Sequence, residues 1–266
     1  RLAVLGLVTP DPAPWWLLRP RFQQHCPNWA LRLHGFEYEG KDPDGYLSKA
    51  ETVKMLTDYA ASFSAPVRVN TEITSIERAC PSGYILRTAE DDLIAETVVV
   101  ATGAFGVPAY PPAAASLARG VTQIHSSRYT NASDLPDGAV LVIGSGQSGA
   151  QIMEDLFDSG RQVYLSVSGA GRRPRRYRGK DSSWWNNTMG GFDKTVNDVK
   201  SLDVRFGSSS HTSGTKGGHD IYLRAFARDG VKLLGRLDGA SGTSLSFSDD
   251  LQDSLANTDD HAAKWR

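Results

Sequence analysis

Val140-Leu141-Val142-Ile143-Gly144-Ser145-Gly146-Gln147-Ser148-Gly149 decides how this 266-residue chain is read. An apolar run that enters Gly-x-Gly-x-x-Gly and continues into a helical pattern is the fingerprint of a strand, a phosphate-approaching turn and a helix. Each glycine has its own task. Gly144 permits the tight turn out of the strand, Gly146 lets backbone come close to a pyrophosphate, and Gly149 lets the helix pack on the strand. The helix N-terminus then offers N–H groups and the positive end of a dipole to the phosphates. Downstream, Ala150, Met153, Leu156 and Phe157 keep one helix face apolar, Gly160 stops the helix, and Val163, Leu165 and Val167 alternate as the next strand. Gly144, Ser145, Gly146, Gln147, Ser148 and Gly149 are thus expected to contact a dinucleotide.

The end of that second strand selects the nucleotide. An NAD site places Asp or Glu there, about 20 residues past the loop, to accept from the ribose 2′-hydroxyl. This chain reads Ser166-Val167-Ser168-Gly169-Ala170-Gly171-Arg172-Arg173, without a carboxylate and with two arginines. A guanidinium engages a phosphate through parallel hydrogen bonds. The expected cofactor is NADPH, with Ser168, Arg172 and Arg173 at the 2′-phosphate end. The basic run beyond it, Arg175, Arg176, Arg178 and Lys180, reads as a solvated loop.

The bulk numbers narrow the class. A net charge of −1 gives no general attraction to nucleic acid or to an anionic membrane surface. Apolar runs such as 139–143 and 98–101 are far too short to span a bilayer. Cys26 and Cys80 stand far apart with no Cys-x-x-Cys, which fits a reducing cytoplasm and argues against a dithiol–disulfide reductase. Cytoplasmic is the expected location. The chain begins at Arg1 rather than Met, so the native start is expected upstream.

Before the fingerprint, prolines at 10, 12, 14, 20 and 27 break regular structure while Trp15, Trp16 and Trp29 call for burial. Ser48 and Glu51 make a capping box for a helix whose apolar face carries Val53, Leu56, Tyr59, Ala60 and Phe63. A short strand is expected at Val67–Val69. Ile73–Arg78 and Tyr84–Thr88 read as antiparallel strands turning at Pro81-Ser82-Gly83. The continuous apolar run Val98–Ala101, ended by Gly103, reads as a buried parallel strand. After the fingerprint unit, residues 169–220 show no clear pattern beyond Trp184 and Trp185 as anchors. Ile221–Arg228 reads as helical, Val231–Leu237 as extended, Leu245–Phe247 as the return of a hairpin and Leu251–Trp265 as a helix.

These segments, in this order, resemble the flavin-containing monooxygenase family of flavoproteins with two dinucleotide-binding domains. Within it, they resemble the bacterial branch described as flavoproteins involved in potassium transport. The resemblance lies in Pro27-Asn28-Trp29-Ala30-Leu31-Arg32-Leu33, Asp44-Gly45-Tyr46, Val98–Gly103, His125–Tyr129, Val140–Gly149, Ala170–Lys180 and Gly218-His219-Asp220 through Leu237. It implies an α/β fold of FAD/NAD(P)-binding Rossmann-like domains, a parallel sheet with helices and a small antiparallel excursion. Residues 1–110 would be a partial FAD-binding domain, 111–237 an inserted NADPH-binding domain, and 238–266 the start of the return to the FAD domain. It further implies FAD beside NADPH, with Ala101, Thr102, Gly103 and Asn28 near the flavin. His125 and Tyr129 match the end of the fingerprint F-x-G-x-x-x-H-x-x-x-[Y/F], although Arg119 and Val121 replace its Phe and Gly. His125 is counted with the cofactor-binding residues and reads as a hydrogen-bonding residue at the domain junction more than as a proton donor. Neither the family's first Gly-rich loop nor its closing flavin segment is found in this chain, so a chain cut short at both ends is expected.

The implied activity is hydride transfer from NADPH to flavin followed by oxygen activation on a small organic substrate. A homodimer is compatible with that class. Two alternatives stay open: a non-catalytic NADPH-binding fragment that has lost flavin, and a flavin reductase that never oxygenates. No catalytic side chain is named, because flavin chemistry needs no side-chain triad. His211, His219 and His261 sit in polar or Gly-rich surroundings without metal-ligand spacing, and Asp249, Asp250, Asp253, Asp259 and Asp260 read as a solvated helix face.

Overall fold

The computed structural model describes residues 23–102, 107–169, 171–199, 201–203 and 211–264. Trp15, Trp16, Gly103 and Ala170 therefore lie outside the described residues. Helix α1 (Lys49–Ser62) starts where the capping box places it: Glu51 N–H donates to Ser48 Oγ and Ser48 N–H donates back to the Glu51 carboxylate. Its anticipated apolar face is less buried than expected. Val53 and Leu56 are each 43% exposed and Phe63 57%, while Tyr59 makes edge-on ring contacts with Phe36 and with Phe63.

Strands β1 (Ser75–Arg78) and β2 (Tyr84–Arg87) form the expected antiparallel pair, and β3 (Asp92–Ala95), which the sequence did not announce, pairs on the far edge of β2. Gly83, at φ +91°, makes the turn. Two anticipated strands are absent. Residues 67–69 carry a single bridge residue, and 98–101 carry no strand at all, with Val99 and Val100 at 74% and 68% exposure. A parallel strand exists only through pairing along its flanks, and no described strand lies beside either segment.

The fingerprint unit forms as read. Strand β4 (Val140–Ile143) leads through the glycine loop into helix α2 (Gln147–Asp158), which returns to β5 (Val163–Ser166), parallel to β4. Gly160, at φ +80°, closes the helix. The poorly patterned region resolves into two small hairpins, β6 (Arg176–Tyr177) with β7 (Lys180–Asp181), and β8 (Thr212–Ser213) with β9 (His219–Asp220). Helix α3 (Ser182–Thr188) lies between the hairpins. On it Trp185 donates its indole N–H to Tyr177 O at 2.9 Å and meets Trp184 edge-to-face. Helix α4 (Leu223–Arg228) then feeds β10 (Lys232–Leu234), which pairs parallel on the other side of β5. The parallel sheet thus runs β10–β5–β4. A hairpin of β11 (Leu237–Ser241) and β12 (Ser244–Phe247) and helix α5 (Leu251–Ala263) complete the chain.

The core gathers on this parallel unit. Val142, Ala150, Met153, Leu156, Val163, Leu165, Val167, Ile221, Leu223 and Val231 are buried together, and Leu255 of α5 joins them. The zero-exposure positions Ala150, Met153 and Leu156 follow the i, i+3, i+6 stripe of one helix face. Burying each large side chain contributes roughly 1.5–3 kcal/mol, so the sheet–helix contact holds the loop between them.

Candidate dinucleotide-binding site

The glycine loop sits at the carboxyl ends of β4 and β5, where open parallel sheets bind ligands. Gly144 is at φ +95°, a conformation that side chains other than Gly rarely adopt. A Cβ on Gly149 would lie 1.9 Å from the Gly144 carbonyl oxygen, so helix and loop touch only because Gly149 has none. A Cβ on Gly146 would meet nothing within 4 Å. Gly146 is the N-cap of α2, at φ −65° and ψ 178°, and no side chain caps the helix there. Backbone is thus close-packed at Gly149 and open at Gly146, the arrangement a pyrophosphate needs to approach a helix N-terminus.

Side chains lock the loop to its surroundings. Ser145 is fully buried; its Oγ–H donates to Ser168 O at 2.9 Å and its Oγ accepts from Ser168 N–H at 2.9 Å. The loop and the end of β5 are therefore joined through both residues that the sequence nominated. Gln147 is engaged differently: its side-chain amide donates to Thr212 O and accepts from Thr212 N–H at 3.3 Å. His211, which its Gly- and Ser-rich surroundings did not single out, is completely buried and meets the Ser145 carbonyl through Nε2.

The arginines divide. Arg172 pairs with Asp220 at 2.9 Å and Asp259 at 3.6 Å, and its guanidinium lies 3.9 Å from the Tyr222 ring centroid. Burial pushes the Arg173 guanidinium below its usual value, and the charge of Arg175 adds to that. Arg175 corrects the expectation of a solvated loop: its side chain is 2% exposed, paired with Asp181 at 2.7 Å, and donates from Nε to Tyr46 Oη at 2.8 Å. Tyr46 Oη in turn donates to Asp181 at 2.9 Å. The expected solvated helix face is also partly engaged, since Asp259 pairs with Arg224 at 2.7 Å and Asp250 with Arg236 at 3.5 Å. Long-range charge pairing of this kind leaves no trace in local spacing.

The residues nominated for the flavin side lie apart from the loop's hydrogen-bond network. Asn28 is buried, donating from Nδ2 to Asp42 O at 2.9 Å and accepting from Leu47 N–H at 2.8 Å, so its side chain stitches the 42–47 segment. Ala101 and Thr102 are exposed coil. His125 caps the turn Ser126–Arg128, with Nδ1 accepting from Ser127 N–H at 3.2 Å and 2.8 Å from Ser127 Oγ. Tyr129, four residues on, is buried and donates to Asp155 of α2 at 2.6 Å.

Residues 36–213 match the family described as pyridine nucleotide-disulphide oxidoreductase. The chain belongs to this family. Among curated relatives, an oxidoreductase called CzcO-like from Geobacillus kaustophilus is 36% identical over 236 residues, covering 87% of this chain and 64% of its own length. The chain thus spans less than two thirds of that relative. Among solved structures, a flavin-containing monooxygenase from Stenotrophomonas maltophilia superposes with a TM-score of 0.62 at 18% identity, over 93% of this chain and 66% of its own. A structure described as OTEMO complexed with FAD and NADP gives 0.53 at 14% identity, over 88% and 61%. The likeness to flavin-containing monooxygenases is borne out at the level of fold, and the α/β, Rossmann-like class with it. Among the described residues, no helix is long and apolar enough to cross a membrane.

Proposed function

We propose that the chain binds NADPH on the loop 144–149 and works with FAD as an oxidoreductase of the monooxygenase type. The observation that carries the nucleotide half is the contrast between Gly149, closed against the Gly144 carbonyl, and Gly146, open to an incoming phosphate. Gly146 and the first turn of α2 would hold the pyrophosphate. Ser168, Arg172 and Arg173 would sit at the ribose end, where the guanidinium groups favour a 2′-phosphate over a free hydroxyl. The flavin half rests on family membership and on the matching segments of sequence. Asn28, engaged with backbone on both sides, would shape the wall at the flavin, and Ala101 and Thr102 would lie along it. When bound, the two cofactors would supply a hydride and a flavin that reduces dioxygen, with one oxygen atom passing to a small organic substrate and the other leaving as water.

The proposed domain plan draws support from one junction. Ala118 N–H donates to Gly242 O at 2.8 Å and Gly242 N–H donates to Ser116 O at 3.0 Å. The point where the chain enters the nucleotide unit and the hairpin where it leaves are thereby hydrogen-bonded side by side, as an inserted domain requires. Residues 1–110, 111–237 and 238–266 are accordingly read as flavin part, NADPH domain and returning segment, in a cytoplasmic enzyme. Cys26 and Cys80, both free, give this chain no dithiol for disulfide reduction.

The test is a nucleotide titration of the purified chain, read by fluorescence, beside its visible absorbance. Saturable NADPH binding, weaker NADH binding and flavin absorbance support the reading, and oxygen uptake matched to substrate oxidation completes it. A chain indifferent to both nucleotides overturns it.

A further inference from the structure

The segment 211–220 grips the glycine loop and its helix at successive points. His211 Nε2 meets the Ser145 carbonyl, Thr212 pairs with the Gln147 amide, Lys216 reaches Asp158 at 2.6 Å, and His219 reaches Glu154 at 2.5 Å. The first of these acts on the peptide unit that matters most. The carbonyl of Ser145 and the N–H of Gly146 belong to one planar trans peptide, so they point in opposite directions. A group that fixes the carbonyl also aims the N–H. This unit hinges on Ser145 and Gly146, and the missing side chain of Gly146 gives that second hinge unusual freedom to rotate; the loop side chains of Ser145 and Gln147 bond to Ser168 and Thr212, not to its oxygen.

We infer that His211 is a positioning residue for the nucleotide: its Nε2–H holds the Ser145 carbonyl and thereby turns the Gly146 N–H towards the open side of the loop, where a pyrophosphate would lie. The inference rests on the reading of 144–149 as the NADPH loop. The backbone that carries the ring is held, because the His211 N–H donates to Gly171 O at 3.2 Å and its carbonyl accepts from Ile221 N–H at 3.4 Å, and the side chain is completely buried. Donation from Nε2 assigns the neutral tautomer with Nδ1 unprotonated. Nδ1 is buried with no hydrogen-bond partner among the described residues, an environment that tolerates a bare acceptor better than a second N–H. Burial accordingly pushes the His211 imidazole below its ordinary value, against the pull of the Ser145 carbonyl.

The test compares H211F, which keeps a flat ring without the donor, with H211Q, whose amide can still donate. The probes are NADPH and adenosine 2′-monophosphate, which shares the 2′-phosphate but has no pyrophosphate. Losing one hydrogen bond that orients a phosphate contact corresponds to about a tenfold weaker NADPH complex for H211F. Adenosine 2′-monophosphate should bind H211F as it binds the parent, and H211Q should recover most of the NADPH affinity. Parent-like NADPH binding by H211F, or equal loss of both probes, overturns the inference. A parent chain that binds adenosine 2′-monophosphate but not NADPH overturns it as well, whereas a parent that binds neither removes the NADPH reading on which it stands. If H211F does not fold, the parent alone decides through the ring 15N shifts of His211 at neutral pH. A proton on Nε2 supports the inference, and the Nδ1-protonated tautomer, which cannot donate to Ser145, overturns it.

Discussion

His219 Nε2 lies 2.5 Å from Glu154 Oε1, and that carboxylate is only 7% exposed on a helix two turns past the glycine loop. The hydrogen bond to Glu154 raises the imidazole above its ordinary value, with burial opposing. Proton linkage gives the sign. A raised folded value means the folded chain binds the proton more tightly, so this contribution is complete below about pH 6.5 and lost as pH rises through the folded value. Melting temperature should fall over that alkaline interval, and H219Q should flatten the slope. A slope unchanged in H219Q would place its origin elsewhere.

His211 acts in the opposite direction. Its imidazole is held below the ordinary value by burial, so the unfolded chain takes up a proton that the folded chain refuses. Stability should therefore fall as pH drops below about 6.5. In H211Q that acid-side loss should shrink while the alkaline-side loss due to His219 persists. Melting curves of the two variants across the same pH series separate the effects.

Gly149→Ala and Gly146→Ala should fail in different ways. At 149 the new methyl collides with the Gly144 carbonyl at 1.9 Å, so loop and helix must part. Overpacking of this kind costs roughly 1–3 kcal/mol, and both stability and NADPH affinity should drop. At 146 nothing lies within 4 Å and the dihedrals suit alanine. G146A should melt like the parent and yet lose about tenfold or more in NADPH affinity, because its methyl occupies the phosphate approach.

Arg172→Ala or Arg173→Ala should weaken NADPH by about 10- to 100-fold and leave NADH nearly unchanged, in line with charge-assisted bonds of roughly 1.5–3 kcal/mol. Arg172 also ties Asp220 and Asp259 together, so R172A should lower the melting temperature as well. Equal loss for both nucleotides in parallel titrations would remove the 2′-phosphate role.

Arg175 and Asp181 form a pair with side chains 2% and 8% exposed. Removing one member strands the other in low dielectric, and R175M should cost about 3–5 kcal/mol in urea unfolding. The double variant R175M/D181L should recover much of that loss. A single variant no less stable than the parent would mean the pair is solvated.

Local signals carried far in this chain. The capping box at Ser48 and Glu51, the Met153–Leu156 stripe and the Gly144–Gly149 loop were legible because caps, helical period and positive φ act within a few residues. The strand expected at 98–101 was not formed, since apolar composition supplies the tendency and only flanking strands supply the hydrogen bonds. Arg175 looked like one more charge in a basic run, yet the folded backbone joins it to Asp181 and Tyr46. The same holds for the bonds of Asn28 to Asp42 and Leu47, which no local pattern announced.

The sequence by itself determined the strand–loop–helix unit, its glycine geometry and the absence of a carboxylate at the end of the second strand. These features depend on backbone dihedrals and short-range periodicity, which residue types dictate directly. Tertiary structure alone decided that His211 holds Ser145 across 66 positions, that Gln147 turns to Thr212, and that His219 caps a buried Glu154. Burial and hydrogen-bond partnership are set by which distant segments are packed together, and no spacing along the chain records that.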